Sequence, residues 1–230
     1  MSREPTEHTS EQLVSVSAGG VRLEGTLAVP EGARGAVLFA HGSGSGRHSP
    51  RNRYVAAELQ RAGLATLLID LLTPEEEAID LRTRHLRFDI ELLAERLVGA
   101  TDWLRQHPQA RALGIGYFGA STGAGAALVA AAERTEVAEA VVSRGGRPDL
   151  AVPGLARVRA PSLLIVGGDD APVIEMNEAA LAQMKCEKRL EIVPGATHLF
   201  EEPGTLEEVA RLAGEWLTRY LRRAGAAAAA

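Results

Sequence analysis

Residues 113–128, LGIGYFGASTGAGAAL, decide how this chain folds. Leu113–Phe118 is a short run of apolar and small residues, the pattern of a strand buried on both faces. It leads directly into Gly119-Ala120-Ser121-Thr122-Gly123, and the alanine-rich stretch Gly123–Glu133 beyond it reads as a helix. The turn matches G-x-S-x-G in the strand–turn–helix setting that the motif requires. Glycine on both flanks removes the Cβ atoms that a sharp turn would crowd, so Ser121 can be held in a strained conformation with its hydroxyl clear of the backbone. Ser121 is therefore the candidate nucleophile. A helix starting at Thr122 would direct its unpaired N–H groups toward an oxyanion developing next to that hydroxyl. The plainer reading is a glycine-rich packing turn with an idle serine.

Strand and helix patterns alternate outward from this stretch. Gln12–Ser17 and Val21–Val29 flank Gly19-Gly20 as a hairpin. Ala36–Ala40, Ala65–Ile69, Ala138–Val142, Ser162–Val166 and Arg189–Val193 read as strands. Arg53–Ala62, Phe88–Gln106, Glu175–Met184 and Leu206–Arg222 read as helices. Such alternation predicts an α/β fold, a mostly parallel sheet with helices on both faces. Functional loops then belong at the carboxyl ends of the strands. We expect one domain over residues 12–222, preceded by a flexible N-terminus, 1–11, and followed by an Ala-rich tail, 223–230.

A serine nucleophile needs a base, and the base needs an orienting acid. Only one histidine follows Ser121, His198 in PGATHLF, placed after the last strand pattern. His198 is the candidate general base; otherwise it caps a loop. The acid should lie in the loop after the preceding strand, where LLIVGGDDAPV offers Asp169 and Asp170. Either could instead be a turn or helix-cap aspartate. Glu201 and Glu202 read as a solvated start to the final helix.

The loop after Ala36–Ala40 is His41-Gly42-Ser43-Gly44-Ser45-Gly46. Its glycines allow the backbone to approach a bound carbonyl. We expect the N–H groups of Ser43 and Thr122 to form an oxyanion hole. His41 precedes the nucleophile at a strand end and reads as structural rather than as a second base. The loop lacks the Lys-Ser/Thr pair of a phosphate-binding G-x-x-x-x-G-K-[ST] loop.

Composition excludes several function classes. The chain has 230 residues, 46% hydrophobic and 24% charged, the balance of a globular domain rather than a disordered chain. A net charge of −5 argues against a broad nucleic-acid footprint. No apolar run approaches a membrane span, and Met1–Gln12 carries no apolar signal region. The single cysteine, Cys186, excludes an intrachain disulfide and reads as structural. We expect a soluble cytoplasmic protein, monomer or homodimer, without metal or cofactor.

LFAHGSGSGRHSPRN, GYFGASTGAGAAL, LLIVGGDDAPV and PGATHLFEEPG resemble the dienelactone-hydrolase-like branch of the α/β hydrolases over about residues 12–222. The resemblance implies an α/β-hydrolase fold. It also implies that the acid is the residue three after the first glycine of Gly167-Gly168, with a valine three further on, which selects Asp170 ahead of Val173. Dienelactone hydrolases proper use a cysteine nucleophile. Ser121 at that place points away from dienelactone and toward a general carboxylesterase. Relatives of this branch also occur fused to, or named as, phosphoribosyltransferases; this chain shows no phosphoribosyl-diphosphate motif.

Two arginine groups fall in rim loops: Arg47, His48, Arg51 and Arg53, and then Arg144 and Arg147. Arginine clamps carboxylates bidentately, so Arg47 and Arg144 are candidate substrate-binding residues for an anionic acyl group. The plainer reading is surface ion pairing, with Asp149 or with Glu75–Glu77 as partners. Only about twenty residues separate Ala138–Val142 from Ser162, too few for a large lid. Leu71–Arg87 is the segment available to cover part of the site. The whole reads as a serine esterase for small or short-chain esters, with Ser121, His198 and Asp170 as catalytic residues. Lactone or thioester hydrolysis, or ligand binding with weak turnover, are the alternatives.

Overall fold

A computed structural model describes residues 11–222. The expected flexible start, 1–10, and the Ala-rich tail, 223–230, lie outside the described residues. Glu11, expected in the flexible start, opens the first strand.

Gly19 and Gly20 take φ of +53° and +76°, the left-handed pair that a tight two-residue hairpin turn needs. They join β1 (Glu11–Ala18) to β2 (Val21–Ala28). The chain continues through β3 (Gly35–Ala40), α1 (Pro50–Arg61), β4 (Leu64–Ile69), α2 (Pro74–Thr83) and α3 (Ile90–Gln106). It goes on through β5 (Gly114–Ala120), α4 (Thr122–Glu133), β6 (Ala138–Arg144), β7 (Ser162–Gly167), α5 (Ala171–Gln183), β8 (Lys188–Val193) and α6 (Thr205–Tyr220). The eight strands form one sheet in the order β1-β2-β4-β3-β5-β6-β7-β8. The β1–β2 and β2–β4 pairings are antiparallel and the others parallel. This is the expected mostly parallel sheet covered on both faces.

One apolar core lies beneath α3 and α4, the other beneath α1 and α6. Residues 35–40, 64–69 and 114–120 are buried throughout, which is why they read as unbroken apolar runs rather than alternating strands. From β3 the chain first moves outward to β4, then crosses to the other side of β3 to lay down β5. The reversal opens a crevice between the carboxyl ends of β3 and β5, the place where such sheets bind ligands. Residues 41–46 and Ser121 both lie at those ends.

Within Leu71–Arg87 the structure forms a helix, α2, and a 3-10 turn at Leu86–Phe88. Thr73 caps α2: its Oγ1 accepts the Glu76 N–H at 3.2 Å, and Glu76 Oε2 accepts the Thr73 N–H at 2.8 Å. That reciprocal capping box, with Pro74 opening the helix, stabilises a segment that has little apolar face. Glu76 also pairs with buried Arg96 of α3 at 2.8 Å. The same guanidinium donates to the carbonyls of Ala18 and Gly19 at 3.0 and 2.7 Å, tying hairpin, α2 and α3 together. Between β6 and β7 there are only two 3-10 turns, Pro148–Ala151 and Leu155–Arg157, and no large lid.

Candidate active site

Ser121 sits between β5 and α4 at φ 50°, ψ −121°, a region that side-chain-bearing residues rarely enter. Its backbone is clamped to hold it there. The Ser121 N–H donates to the Arg144 carbonyl at 3.1 Å, and the Ser121 carbonyl accepts from Ala124 at 3.0 Å and Arg147 at 3.1 Å. Strain of this kind persists only where its surroundings over-determine it. Gly123 shows why the flanking glycine is needed: a Cβ there would collide with the carbonyl oxygens of Ala40 and His41. The first turn of α4 therefore packs directly on the end of β3, and Ser121 comes next to the 41–46 loop.

His198 follows β8 in a turn closed by Phe200 N–H donating to the Thr197 carbonyl at 3.2 Å. Its Nδ1 lies 2.7 Å from Asp170 Oδ2. Asp170 is the last residue before α5, yet its side chain makes no helix cap and serves the imidazole instead. Asp169 points into solvent. The loop after β6 runs under the ring: a Cβ on Gly145, at φ +50°, would stand 3.5 Å from both Cε1 and Nδ1 of His198. Gly145 directly follows Arg144, whose carbonyl holds Ser121, so elbow and imidazole share one support. The Ser121 hydroxyl makes no hydrogen bond with another described residue in this arrangement. Such contacts commonly tighten only when substrate is bound.

Glu202 is not the solvated helix lead-in expected from the sequence. Its carboxylate accepts the Thr197 N–H at 3.1 Å and the Thr197 hydroxyl at 2.6 Å, fixing the residue before His198. These hydrogen bonds hold the Glu202 carboxyl below its usual range. A threonine before the histidine and a glutamate five residues on were the available signal.

Ser43 and Thr122 meet through their hydroxyls, Oγ to Oγ1, at 3.0 Å. Neither backbone N–H donates to another described residue, so both remain available to an oxyanion. His41 stands behind this loop. Its Nε2 accepts the Leu71 N–H at 3.0 Å, leaving Nδ1 to donate to the Gly42 carbonyl at 3.0 Å. Burial lowers the pKa of the ring. A neutral imidazole used at both nitrogens fits the structural reading of His41.

A cleft of about 790 Å³ opens beside the pair, between residues 41–51 on one side and Leu72, Glu77, Asp80, Leu81 and Arg87 on the other, with Leu93 and Thr122 completing it. The 71–87 segment thus covers part of the site. Burial by itself would raise the Asp80 carboxyl, but hydrogen bonds from Arg87 outweigh it and hold the group below its usual range. The Arg87 carbonyl accepts from the Ser43 hydroxyl at 3.4 Å, linking this wall to the 41–46 loop.

The arginines divide sharply. Arg47 pairs with Asp70 and with Glu24. Arg51 pairs with Glu201 at 2.9 Å, and Arg53 with Glu11 at 3.5 Å. Arg147 binds Asp149 through two hydrogen bonds of 2.8 and 2.7 Å, as the plainer reading anticipated. Arg144 has no carboxylate partner among the described residues. It is buried, 7% exposed, and its Nε and Nη1 have no hydrogen-bond acceptor. Burial and the nearby Arg51 push its pKa down to about 10.

Cys186 lies at the opposite, amino end of the sheet, its Sγ 3.9 Å from Ser162 Oγ. Among the described residues no group of three or more His, Cys, Asp or Glu is placed to hold a metal ion. No helix among them is long and apolar enough to cross a membrane.

The family model described as the dienelactone hydrolase family matches residues 23–222. The chain belongs to the dienelactone hydrolase family. A crystal structure of a dienelactone hydrolase from Anabaena variabilis shares 69% sequence identity with it and superposes with a TM-score of 0.92, covering 94% of this chain and all of that one. A Mycobacterium tuberculosis protein named "Putative phosphoribosyl transferase Rv0571c" is 61% identical over 208 residues, covering 90% of this chain and 46% of its own length. The chain therefore spans about half the length of that relative. A Bradyrhizobium protein named "Probable 2-oxo-3-(5-oxofuran-2-ylidene)propanoate lactonase" is 31% identical over 168 residues, 64% of this chain and 66% of its own.

Dienelactone hydrolase family membership accounts for the hydrolase frame. The span matched by the family model contains Ser43, Ser121, Thr122, Asp170 and His198.

Proposed function

We propose that the chain is a serine hydrolase that cleaves small or short-chain carboxylic esters through an acyl-enzyme. The observation that carries this reading is the strained Ser121, clamped to the Arg144 carbonyl, together with the His198–Asp170 pair, whose Nδ1–Oδ2 distance is 2.7 Å and whose imidazole rests against the adjoining Gly145. With Asp170 accepting at Nδ1, the other ring nitrogen is left to take the Ser121 proton as the hydroxyl attacks the ester carbonyl. The negative charge on the carbonyl oxygen is received by the N–H groups of Thr122 and Ser43. His198 returns the proton to the leaving alcohol. Water, activated by the same imidazole, then releases the acid.

The open cleft and the short β6–β7 connection favour small acyl groups. Arg47 contributes as a strut of the cleft, since its guanidinium is engaged by Asp70 and Glu24. Lactones are a second substrate class for the same steps, favoured by the names of the Anabaena and Bradyrhizobium relatives. In a lactone the leaving alcohol stays tethered to the acyl group.

The test is hydrolysis of p-nitrophenyl esters of increasing chain length by the protein and its Ser121→Ala variant. Release that fades with chain length and is lost in the variant supports the proposal. Equal rates in both proteins would remove Ser121 from the reaction.

A further inference from the structure

β8 is the last strand of the sheet and pairs only with β7 among the described residues. Its ladder is pinned at both ends. The Ser162 N–H donates to the Glu187 carbonyl at 2.9 Å, and the Gly168 N–H to the Val193 carbonyl at 2.8 Å. Alternate residues of a parallel strand bond to the same neighbour. Arg189, Glu191 and Val193 therefore turn their peptide groups to β7, and Lys188, Leu190 and Ile192 turn theirs outward. Their side chains alternate as well. Leu190 packs in part on the core beneath α3 and α4, and Ile192 on the same face is 39% exposed. On the other face Arg189 and Glu191 form an ion pair with each other.

Charged side chains on an edge strand ordinarily guard it against pairing with another chain. This set is self-complementary in one arrangement. A two-fold axis adds the β8 of a second copy antiparallel to the first, and outward-facing residues must then meet outward-facing residues. With the axis at Leu190, that residue faces its own copy and Lys188 faces Ile192. Arg189 stands opposite Glu191 of the second copy, and Glu191 opposite its Arg189. These are the non-hydrogen-bonded positions, where facing side chains come closest. Sliding to either neighbouring allowed register sets Arg189 opposite Arg189, or Glu191 opposite Glu191. Only the register centred on Leu190 matches opposite charges, and in it the Lys188 stem covers Ile192.

We propose that the β8 edge is the docking surface for a second copy of this chain, joined antiparallel about Leu190 with reciprocal Arg189–Glu191 pairs. The two sheets then continue as one. No residue of β8 lines the cleft, so the inference stands apart from the serine-hydrolase reading.

The experiment is sedimentation velocity of the full chain over a dilution series, with melting curves to show that each variant folds. The unmodified chain is expected to be a reversible dimer. Arg189→Glu and Glu191→Arg each place like charges opposite one another at two positions and should raise the dimer dissociation constant by about tenfold or more. The double variant Arg189→Glu/Glu191→Arg restores opposite charges and should dimerise again. Mixing the two single variants should give a heterodimer, because two acidic side chains on one copy then face two basic ones on the other. Leu190→Pro removes an outward N–H and leaves the β7 ladder whole, so it too should be monomeric. If the proline variant does not fold, the charge variants decide.

A monomer at every concentration overturns the proposal, whether the edge is left to solvent or covered by residues 223–230 of the same chain. A dimer indifferent to the charge variants also overturns it, by placing the interface elsewhere. Single variants that weaken the dimer but are rescued neither by the double variant nor by mixing overturn the Leu190-centred pairing.

Discussion

The Ser43 hydroxyl lies 3.0 Å from that of Thr122, although the two residues are 79 positions apart. The contact joins the loop after β3 to the first turn of α4, and each residue keeps its backbone N–H free. Ser43→Ala removes this link without touching either N–H. A net hydrogen-bond contribution near 1 kcal/mol predicts a fall in kcat/KM of about fivefold, with the fold retained. Steady-state kinetics beside a melting curve check this. An unchanged rate would separate the hydroxyl pair from the placement of the oxyanion donors.

The elbow makes a prediction about stability that has the opposite sign to its effect on activity. Ser121 at φ 50°, ψ −121° carries a Cβ in a region open mainly to glycine. Ser121→Gly should be more stable than Ser121→Ala by about 1 kcal/mol, after the entropy of the unfolded glycine chain is subtracted. Chemical denaturation of both variants measures the difference. Equal stability, or a less stable glycine variant, would show that the clamp leaves no strain to release.

Asp170→Asn tests the pairing with His198. The amide can present its NH2 to Nδ1 and favour the wrong imidazole tautomer, as the general triad case illustrates. The expected loss in kcat is on the order of a thousandfold to ten-thousandfold, with KM little changed. A double variant with Ser121→Ala should be no slower than Ser121→Ala by itself. Additive losses would mean that Asp170 acts apart from the serine.

His41 predicts an acid-sensitive contribution to stability. Burial lowers its folded pKa below the ordinary 6.5, so the folded state resists protonation more than the unfolded state does. Stability from this group is therefore fully present above about pH 6.5 and is lost as pH falls through the folded value. Protonation would also turn Nε2 from the acceptor of the Leu71 N–H into a competing donor. His41→Gln should flatten the decline in melting temperature on acidification relative to the unmodified chain. Parallel curves would place the acid sensitivity elsewhere.

The site was legible in the sequence wherever one residue type had to stand in one place. Ser121 between its glycines, and His198 as the lone histidine after it, needed no long-range information. Asp170 was separated from Asp169 only by resemblance, because two adjacent aspartates in a turn look alike until their side chains diverge. The sheet was legible because buried parallel strands are continuous apolar runs. α2 was not, since PEEEAIDLRT has little apolar stripe, and its capping box at Thr73 and Glu76 was the signal left unread. The roles of Glu202 and Arg144 depend on residues brought together by the fold. Ion pairing consumed Arg47, Arg51, Arg53 and Arg147, and no spacing rule predicts which arginine is left over.

The most direct test of the central claim is covalent. The chain is treated with a fluorophosphonate, which reacts with activated serine hydroxyls, and the adduct is located by intact mass and peptide mapping. One adduct on the peptide containing Ser121, absent in Ser121→Ala and formed far more slowly in His198→Ala, is the predicted result. Labelling that persists in Ser121→Ala, or that maps to another serine such as Ser43, would contradict Ser121 as the nucleophile.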